Sequence, residues 1–212
     1  AESLRSRIED AAASLVITAD GGFRKGGAFA LKPIVDEALK GETNVKNVLV
    51  VNRTGQETAM SPRDTWWHDL VDKQSADHEA QAFDSEHPLF ILYTSGTTGK
   101  PKGVQRDTGG YAVALAASMK HIFNVKPGET YFSTSDIGWV VGHSYIIYGP
   151  LMAGMATIMY EGLPIRPDGG IWWKLVEKYK VNIMFSAPTA VRVLKKQDPA
   201  FLSKYDLSSL RA

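Results

Sequence analysis

The sequence predicts an α/β fold in which helices are layered on mostly parallel mixed sheets. Two observations indicate this class: segments of helical periodicity alternate with short apolar segments, and several of those short segments are apolar without interruption. Strands that alternate with helices form parallel sheets, because each helix carries the chain back to the edge at which the next strand begins. The contents of hydrophobic and charged residues, 44% and 22%, are those of a globular domain.

The individual elements follow from the same periodicity. Leu4, Ile8 and Ala12 lie four residues apart and predict the first helix, and Trp66, Trp67, Leu70 and Val71 mark a later one. In the first half we predict a helix at 3–12, a strand at 14–20, a glycine-rich loop at 21–27, a helix at 31–39, a strand at 45–51, a helix at 63–73, an irregular stretch at 72–88 and a strand at 88–93 buried on both faces. In the second half we predict a helix at about 108–123, strands at 130–134 and 156–160, a helix at about 141–153, a helix at 171–179, a strand at 181–186 and a helix from Pro188.

Charge and composition exclude several classes of protein. Twenty-four basic residues against 23 acidic ones leave a net charge of +1, which provides no field to attract nucleic acid or an anionic membrane. The absence of cysteine excludes a disulfide scaffold, a thiolate metal site and a cysteine nucleophile. No apolar run reaches the ~20 residues of a membrane span. We therefore expect a cytoplasmic protein, or one of the mitochondrial matrix in a eukaryote, that acts on small molecules.

A segment rich in glycine, hydroxyl groups and lysine follows the predicted strand at 88–93. Polyphosphate binding needs this mixture, since glycines let backbone N–H groups approach an anion, hydroxyls donate further hydrogen bonds and lysines supply positive charge. A Walker loop requires four residues between its glycines, whereas only Thr97 and Thr98 separate Gly96 from Gly99. The residues concerned are Thr94, Ser95, Gly96, Thr97, Thr98, Gly99, Lys100, Lys102 and Gly103.

Other site types find little support in the sequence. A dinucleotide-binding glycine pattern is absent at this loop. Gly142-His143-Ser144 begins a nucleophile elbow, but Ile146 stands where the pattern requires the last glycine. The five histidines lack metal-ligand spacing, so we predict no histidine metal site.

The run YTSGTTGKPKG, residues 93–103, resembles the signature loop of the adenylate-forming superfamily, which includes acyl-CoA synthetases, luciferases and the adenylation domains of peptide synthetases. The resemblance implies part of that superfamily's N-terminal domain. It also implies that the loop binds the phosphates of ATP, with Thr94, Thr97, Lys100 and Lys102 in catalytic roles and Ser95, Gly96, Thr98 and Gly99 as further ATP contacts.

Two later segments, 135–173 and 185–199, are similar to the short-chain acyl-CoA synthetases, most of all to the propionyl-CoA synthetases and next to the acetyl-CoA synthetases. The resemblance implies that Trp139, Val140, Val141 and Gly142 wall the pocket for a short acyl chain. It further implies that Arg24 holds the 3′-phosphate end of coenzyme A and that Ala187 lines the pantetheine path. Three positions depart from the pattern. Gly27 replaces a second arginine, Val141 stands where acetate-using relatives often have threonine, and Ile165 stands where those relatives have an asparagine near coenzyme A.

The resemblance implies ATP-dependent activation of a short-chain carboxylate, with propionate favoured, to its adenylate and then to its CoA ester, with release of pyrophosphate and AMP. It also implies that Mg²⁺ is bound largely by residues outside this chain. We expect residues 1–212 to be a central fragment of the N-terminal adenylation domain, with a CoA-side portion at 1–88 and the phosphate loop and acyl pocket at 89–212. The C-terminal domain would be absent and the isolated fragment inactive. Two alternatives remain open: an acetyl-CoA synthetase, and a stand-alone nucleotide- or phosphate-binding module.

Overall fold

A computed structural model of the chain describes residues 1–24, 26–94 and 102–212. The chain divides into two compact units: unit 1 comprises Ala1–Ala82 and Ile91–Gln105, and unit 2 comprises Phe83–Phe90 and Arg106–Ala212. Both contain helices and parallel strands, so the predicted α/β class is confirmed. None of the helices within the described ranges is long and apolar enough to cross a membrane.

Unit 1 contains a three-stranded parallel sheet in the order β1-β4-β5. A separate antiparallel hairpin, β2–β3, follows β1. The elements are α1 (Glu2–Asp10), β1 (Leu15–Ala19), β2 (Gly21–Arg24), β3 (Gly27–Ala30), α2 (Lys32–Ala38), β4 (Asn47–Val51), β5 (Asp64–Trp66) and α3 (Trp67–Val71).

The core of unit 1 lies on one face of its sheet. Ile8 of α1 and Val35 of α2 pack with Val48 and Val50 of β4. The opposite face is less covered, since Leu15 and Ile17 are 45% and 57% exposed. The apolar run within residues 14–20 predicts a buried strand. That prediction is wrong for this face, because the core packing of α1 and α2 lies on the other side of the sheet.

Two predictions in unit 1 need correction. Residues 21–27 form no simple loop, because residues 21–24 pair with 27–30 as the two strands of the hairpin. The helix predicted at 63–73 begins only at Trp67, because residues 64–66 pair in parallel with β4. Parallel pairing is a long-range interaction that local periodicity does not detect.

Strands β6 (Pro88–Thr94) and β7 (Lys102–Asp107) form a two-stranded sheet. Residues 103–105 therefore lie in a strand. The prediction that residues 88–93 are buried on both faces is wrong: no described residue of β6 is fully buried, and Ile91 is 47% exposed. An apolar run indicates a strand, but the depth of its burial depends on what packs against it.

Unit 2 contains a parallel sheet in the order β10-β8-β9. The last two residues extend it, because Met184 donates its N–H to the Ala212 carbonyl and Ala212 donates to the Asn182 carbonyl. The elements are α4 (Thr108–His121), β8 (Thr130–Ser133), α5 (Val140–Gly142), a π-helix (His143–Tyr148), α6 (Gly149–Met152), β9 (Ala156–Ile158), α7 (Ile171–Tyr179), β10 (Ile183–Phe185), α8 (Pro188–Leu194) and α9 (Ala200–Ser203).

The sheet of unit 2 is covered on both faces, as the sequence predicts. Tyr131 packs on one face with Met119 of α4, and Phe132 packs on the other with Trp172 and Val176 of α7. Successive side chains of a strand point to opposite faces, so two adjacent residues of β8 serve two separate cores. The helix predicted at 141–153 is confirmed as α5, the π-helix and α6 in continuous succession.

Candidate functional site

In unit 1, the strand ends bring two candidate phosphate contacts to the same loop. Thr94 is the last residue of β6 and Lys102 is the first of β7, and both side chains are exposed. Because β6 and β7 are paired, the two residues flank the segment that connects the strands. The other predicted contacts, Ser95, Gly96, Thr97, Thr98, Gly99 and Lys100, lie outside the described residues.

Tyr93 and Gly103 support these strand ends. The Tyr93 hydroxyl donates a hydrogen bond to Asp10 Oδ2 over 2.6 Å, which joins β6 to the end of α1. A Cβ at Gly103 would lie 2.9 Å from Ile91 Cγ2 and 3.2 Å from the Tyr93 ring, so only glycine fits beside β6 here. The hydrogen bond to Asp10 raises the pKa of Tyr93, because the bond to a carboxylate favours the protonated phenol.

The β2–β3 hairpin carries Arg24, the candidate contact for the phosphate of coenzyme A. Arg24 ends β2, pairs with Gly27 and is exposed. The hairpin follows the carboxyl end of β1, and parallel sheets bind ligands at the carboxyl ends of their strands. Arg24 is therefore accessible at an edge suited to ligand binding.

In unit 2, β8 and β10 are neighbours in the parallel sheet, so their carboxyl ends lie side by side. The chain leaves β8 towards β9 on one side, and it leaves β10 towards the terminal pair 211–212 on the other side. Such a reversal of direction is the usual place for a ligand site in an open parallel sheet. Thr134 Oγ1 and Ser186 Oγ join the two strand ends by a 2.8 Å hydrogen bond. Ala187, exposed, follows Ser186 as the residue that caps α8.

The predicted acyl-pocket residues follow β8 at this same edge. Trp139 is 68% exposed and Val140 is 39% exposed, whereas Gly142 is buried. A Cβ at Gly142 would lie 2.4 Å from the Asp136 carbonyl oxygen and 2.5 Å from Ile137 Cα, so the close approach requires glycine. Val141 is half-buried. Trp139 and Val140 thus lie at the surface of unit 2, whereas Gly142 is packed beneath them.

The π-helix that follows these residues is fixed at several points. Gly149 donates its N–H to the carbonyl of Ser144, five residues earlier, and Ser144 Oγ lies 2.8 Å from the Tyr111 hydroxyl of α4. Phe90 stacks on the His143 ring with centroids 5.2 Å apart, and His143 Nδ1 lies 3.0 Å from the Trp139 carbonyl. Single π-helical turns are frequent at functional sites. These contacts hold in place the helical segment that begins with Val140 and Val141.

An apolar cleft of about 500 Å³ lies on the α8 and α9 side of β10. Its lining includes Ser186 but none of residues 139–142, so the predicted acyl residues belong to a different surface. The lining residues include Trp173, Met184, Val191, Leu194 and Phe201.

Sequence reasoning missed three groups of polar residues that organise these edges: Asp20 with Thr54, Thr134 with Ser186, and Tyr111 with Ser144. One signal was available for the first two groups, since Asp20, Thr134 and Ser186 each directly follow a strand at its carboxyl end. The partners could not be found this way, because Thr54 lies 34 residues from Asp20 and Ser186 lies 52 from Thr134. Within the described ranges no group of three or more His, Asp or Glu side chains is placed to hold a metal ion.

Comparison with known proteins identifies the family. The model of the AMP-binding enzyme family matches residues 1–212. The acetyl-coenzyme A synthetase of Streptomyces avermitilis is 54% identical over 100% of this chain, and that of Streptomyces coelicolor is 53% identical over 99%. That of Deinococcus radiodurans is 49% identical over 99%. The chain covers 33%, 33% and 32% of these three relatives, about one third of their length.

These matches confirm the superfamily that the loop sequence indicates. They do not support the narrower resemblance to propionyl-CoA synthetases, since the relatives are named acetyl-coenzyme A synthetase. The family model matches every residue of the chain and therefore establishes to which family it belongs. This chain belongs to the AMP-binding enzyme family.

Proposed function

We propose that the protein containing this chain is an acid–thiol ligase that uses ATP to join a short carboxylic acid to coenzyme A. Acetate is the proposed preferred acid. The observation that carries this proposal is the 54% identity, over the whole chain, to a relative named acetyl-coenzyme A synthetase. Residues 1–212 form a central part of its large adenylation domain, with the CoA-side portion at 1–88 and the phosphate loop and acyl pocket at 89–212. The chain by itself does not complete the reaction.

In the first step, a carboxylate oxygen of the acid attacks the α-phosphorus of ATP, the bond to the β-phosphate oxygen breaks, and pyrophosphate leaves. No protein nucleophile is needed, because the substrate is the nucleophile. Lys100 and Lys102 stabilise the departing pyrophosphate, and Thr94 and Thr97 orient it. The exposure of Thr94 and Lys102 at paired strand ends supports this role. Mg²⁺, when bound, neutralises phosphate charge, and its ligands lie largely outside this chain.

In the second step, the CoA thiol attacks the acyl carbonyl carbon and AMP leaves with the bonding electron pair, while the thiol proton is lost. Arg24 binds the phosphate end of coenzyme A, to which a guanidinium can donate two parallel hydrogen bonds. The small side chain of Ala187 leaves room for the pantetheine arm. The exposure of both residues supports this assignment.

The acid binds against Trp139, Val140, Val141 and Gly142. The compact side chains of Val140 and Val141 suit one or two carbons, and their position after β8, at the carboxyl edge of the parallel sheet, supports a ligand-facing role. Propionate is the second candidate substrate, favoured by valine at position 141. One methylene in an apolar pocket changes the free energy of transition-state binding by only ~1–3 kcal/mol, so the enzyme would discriminate incompletely between acetate and propionate.

The test is a substrate panel with the full-length protein expressed from the complete open reading frame. Formation of acyl-CoA and AMP from ATP and CoA is measured with acetate, propionate and butyrate, and kcat/KM is compared. The proposal expects acetate to have the highest value. A higher kcat/KM for propionate than for acetate would make propionate the preferred substrate. ATP binding without acyl-CoA formation from any of the acids would support the stand-alone binding module.

A further inference from the structure

Asp20 occupies the junction between β1, the β2–β3 hairpin and the segment that follows β4. Its side chain is 1% exposed, and its carboxylate accepts hydrogen bonds from four backbone N–H groups and one hydroxyl. The donors are the N–H groups of Gly21 at 2.7 Å, Arg53 at 2.8 Å, Thr54 at 3.0 Å and Gln56 at 3.1 Å, and the Thr54 hydroxyl at 2.8 Å. Every one of these donors lies at the carboxyl edge of the parallel sheet.

The backbone of Asp20 closes the base of the same hairpin. Its carbonyl accepts hydrogen bonds from Leu31 N at 3.0 Å and Lys32 N at 3.3 Å, and its N–H donates to the Val51 carbonyl. Gly21 completes the junction, because a Cβ there would lie 2.3 Å from Gln56 Nε2 and 2.7 Å from Thr54 Oγ1. Side chain and backbone of one residue thus join the hairpin to the ends of β1 and β4.

Among the residues of β2 and β3 that the structure describes, only Gly21 is buried. Phe23 and Arg24 are exposed, and so is every residue of β3. An isolated two-stranded hairpin is marginally stable in water, so core packing cannot hold this one in place. The guanidinium of Arg53 lies 4.9 Å from the centroid of the Phe23 ring, and the N–H of Arg53 is itself held by Asp20. The base at Asp20 therefore determines where the hairpin points.

We propose that Asp20 is a positioning residue for the thioester-forming step: through the base of the β2–β3 hairpin it holds Arg24 in place for the phosphate end of coenzyme A. This inference rests on the proposed function. Asp20 itself does not touch the substrate. Its carboxylate can be replaced by an amide of the same shape, which has one acceptor oxygen in place of two.

The test separates the two half-reactions in the full-length protein. Pyrophosphate exchange into ATP in the presence of acetate requires no coenzyme A, whereas the KM for coenzyme A reports the second step. Asp20→Asn should raise that KM at least tenfold and leave the exchange rate within twofold. With dephospho-CoA, which lacks the 3′-phosphate, Asp20→Asn and wild type should have KM values within twofold of each other.

Five further variants complete the experiment. Arg24→Ala should raise the KM for coenzyme A as Asp20→Asn does, and the double variant should add less than the product of the two effects. Thr54→Val removes one donor to Asp20 and should raise the KM about threefold, whereas Thr54→Ser retains the hydroxyl and should restore it. Asp69→Asn changes an exposed aspartate of α3 and is the matched control.

The outcomes test the binding of coenzyme A by Arg24 and the positioning role of Asp20 separately. An unchanged KM in Arg24→Ala overturns the assignment of coenzyme A to Arg24, and the inference with it. A raised KM in Arg24→Ala with an unchanged KM in Asp20→Asn overturns the inference alone. Equal losses in exchange and thioester formation make Asp20 a purely structural residue and also overturn it. Should Asp20→Asn fail to fold, the same comparison between Thr54→Val and Thr54→Ser decides.

Discussion

Lys32 Nζ lies 2.8 Å from Asp64 Oδ2, and each side chain is only 1% exposed. Lys32 also pairs with Asp36, which is partly solvated. Burial by itself lowers the pKa of Lys32, but its hydrogen bonds to Asp36 and Asp64 outweigh burial and leave that pKa raised. The pair joins the start of α2 to β5, so it connects the exit of the β2–β3 hairpin with the parallel sheet of unit 1.

Removing Lys32 should destabilise the protein strongly. Lys32→Met leaves Asp64 buried without its cation and should cost ~3–5 kcal/mol, measured as the free energy of unfolding in urea. Lys32→Met combined with Asp64→Leu should recover most of that loss, because no uncompensated charge remains. Lys40→Met, in an exposed pair with Glu37, is the control and should cost under ~1 kcal/mol. A double variant as unstable as Lys32→Met would contradict the prediction.

Stability should fall in acid because of Asp20. Burial raises the pKa of this carboxyl, but the hydrogen bonds from Arg53, Thr54 and Gly21 outweigh it and hold the pKa far below its ordinary value. A lowered pKa in the folded state stabilises the protein fully above the unfolded pKa of ~3.9, and this stabilisation is lost as pH falls below it.

The measurement is the melting temperature between pH 6 and pH 3. It should drop most steeply below about pH 4, and Asp20→Asn should have a lower melting temperature at pH 6 with a shallower decline. Burial raises the pKa of Asp64, but the interactions with Lys32 and Ser61 together outweigh burial and leave that pKa lowered, so some decline should remain in that variant. Parallel curves for variant and wild type would exclude a contribution from Asp20.

The Tyr111–Ser144 hydrogen bond should stabilise unit 2. Tyr111→Phe leaves the buried Ser144 hydroxyl without this partner and should cost ~1–3 kcal/mol of unfolding free energy. Adding Ser144→Ala should reduce the loss, because both polar groups are then gone. Tyr145→Phe breaks a longer, 3.2 Å bond to Ser118 and should cost less. If the two tyrosine variants are equally unstable, the buried Tyr111–Ser144 hydrogen bond contributes no more to stability than the Tyr145–Ser118 bond.

The ends of β6 and β7 should matter for chemistry more than for folding. Thr94→Ala with Lys102→Ala in the full-length protein should depress pyrophosphate exchange at least tenfold, because the proposed function places the lost groups against the phosphates of ATP. Exposed substitutions usually change stability by less than ~0.5 kcal/mol, so the melting temperature should hardly move. Lys126→Ala is an exposed control from unit 2. Unchanged exchange with a collapsed melting temperature would assign these residues a structural role.

Position 140 should control the length of the acid. If Val140 lines the acyl pocket as proposed, Val140→Ala should enlarge that pocket and shift kcat/KM towards propionate and butyrate, whereas Val140→Trp should block propionate by filling its space. One methylene corresponds to ~1–3 kcal/mol, so each shift should be roughly 10- to 200-fold. Val113→Ala changes a valine of α4 that is 70% exposed and should leave the preference unchanged. An unaltered preference in both Val140 variants would remove this valine from the acyl pocket.

The sequence by itself determined the α/β class, most of the helices and strands, and the superfamily. Helical periodicity around Val176 and the apolar run before Thr94 are local properties, and local backbone preferences largely decide them. The phosphate-loop sequence is equally local, since its glycines, hydroxyls and lysines act within about ten residues. Its spacing therefore indicates the chemistry without reference to the rest of the chain.

The tertiary structure alone decided burial, strand pairing and the partners of polar groups. Periodicity cannot reveal that residues 64–66 pair with β4, that Ile17 remains exposed, or that Asp20 accepts hydrogen bonds from residues 53–56. These features depend on segments more than 10 residues apart in sequence, and only the folded backbone brings them together. A buried carboxylate such as Asp20 is stable only because the fold aims five donors at it, so its role appears only when those donors have been placed.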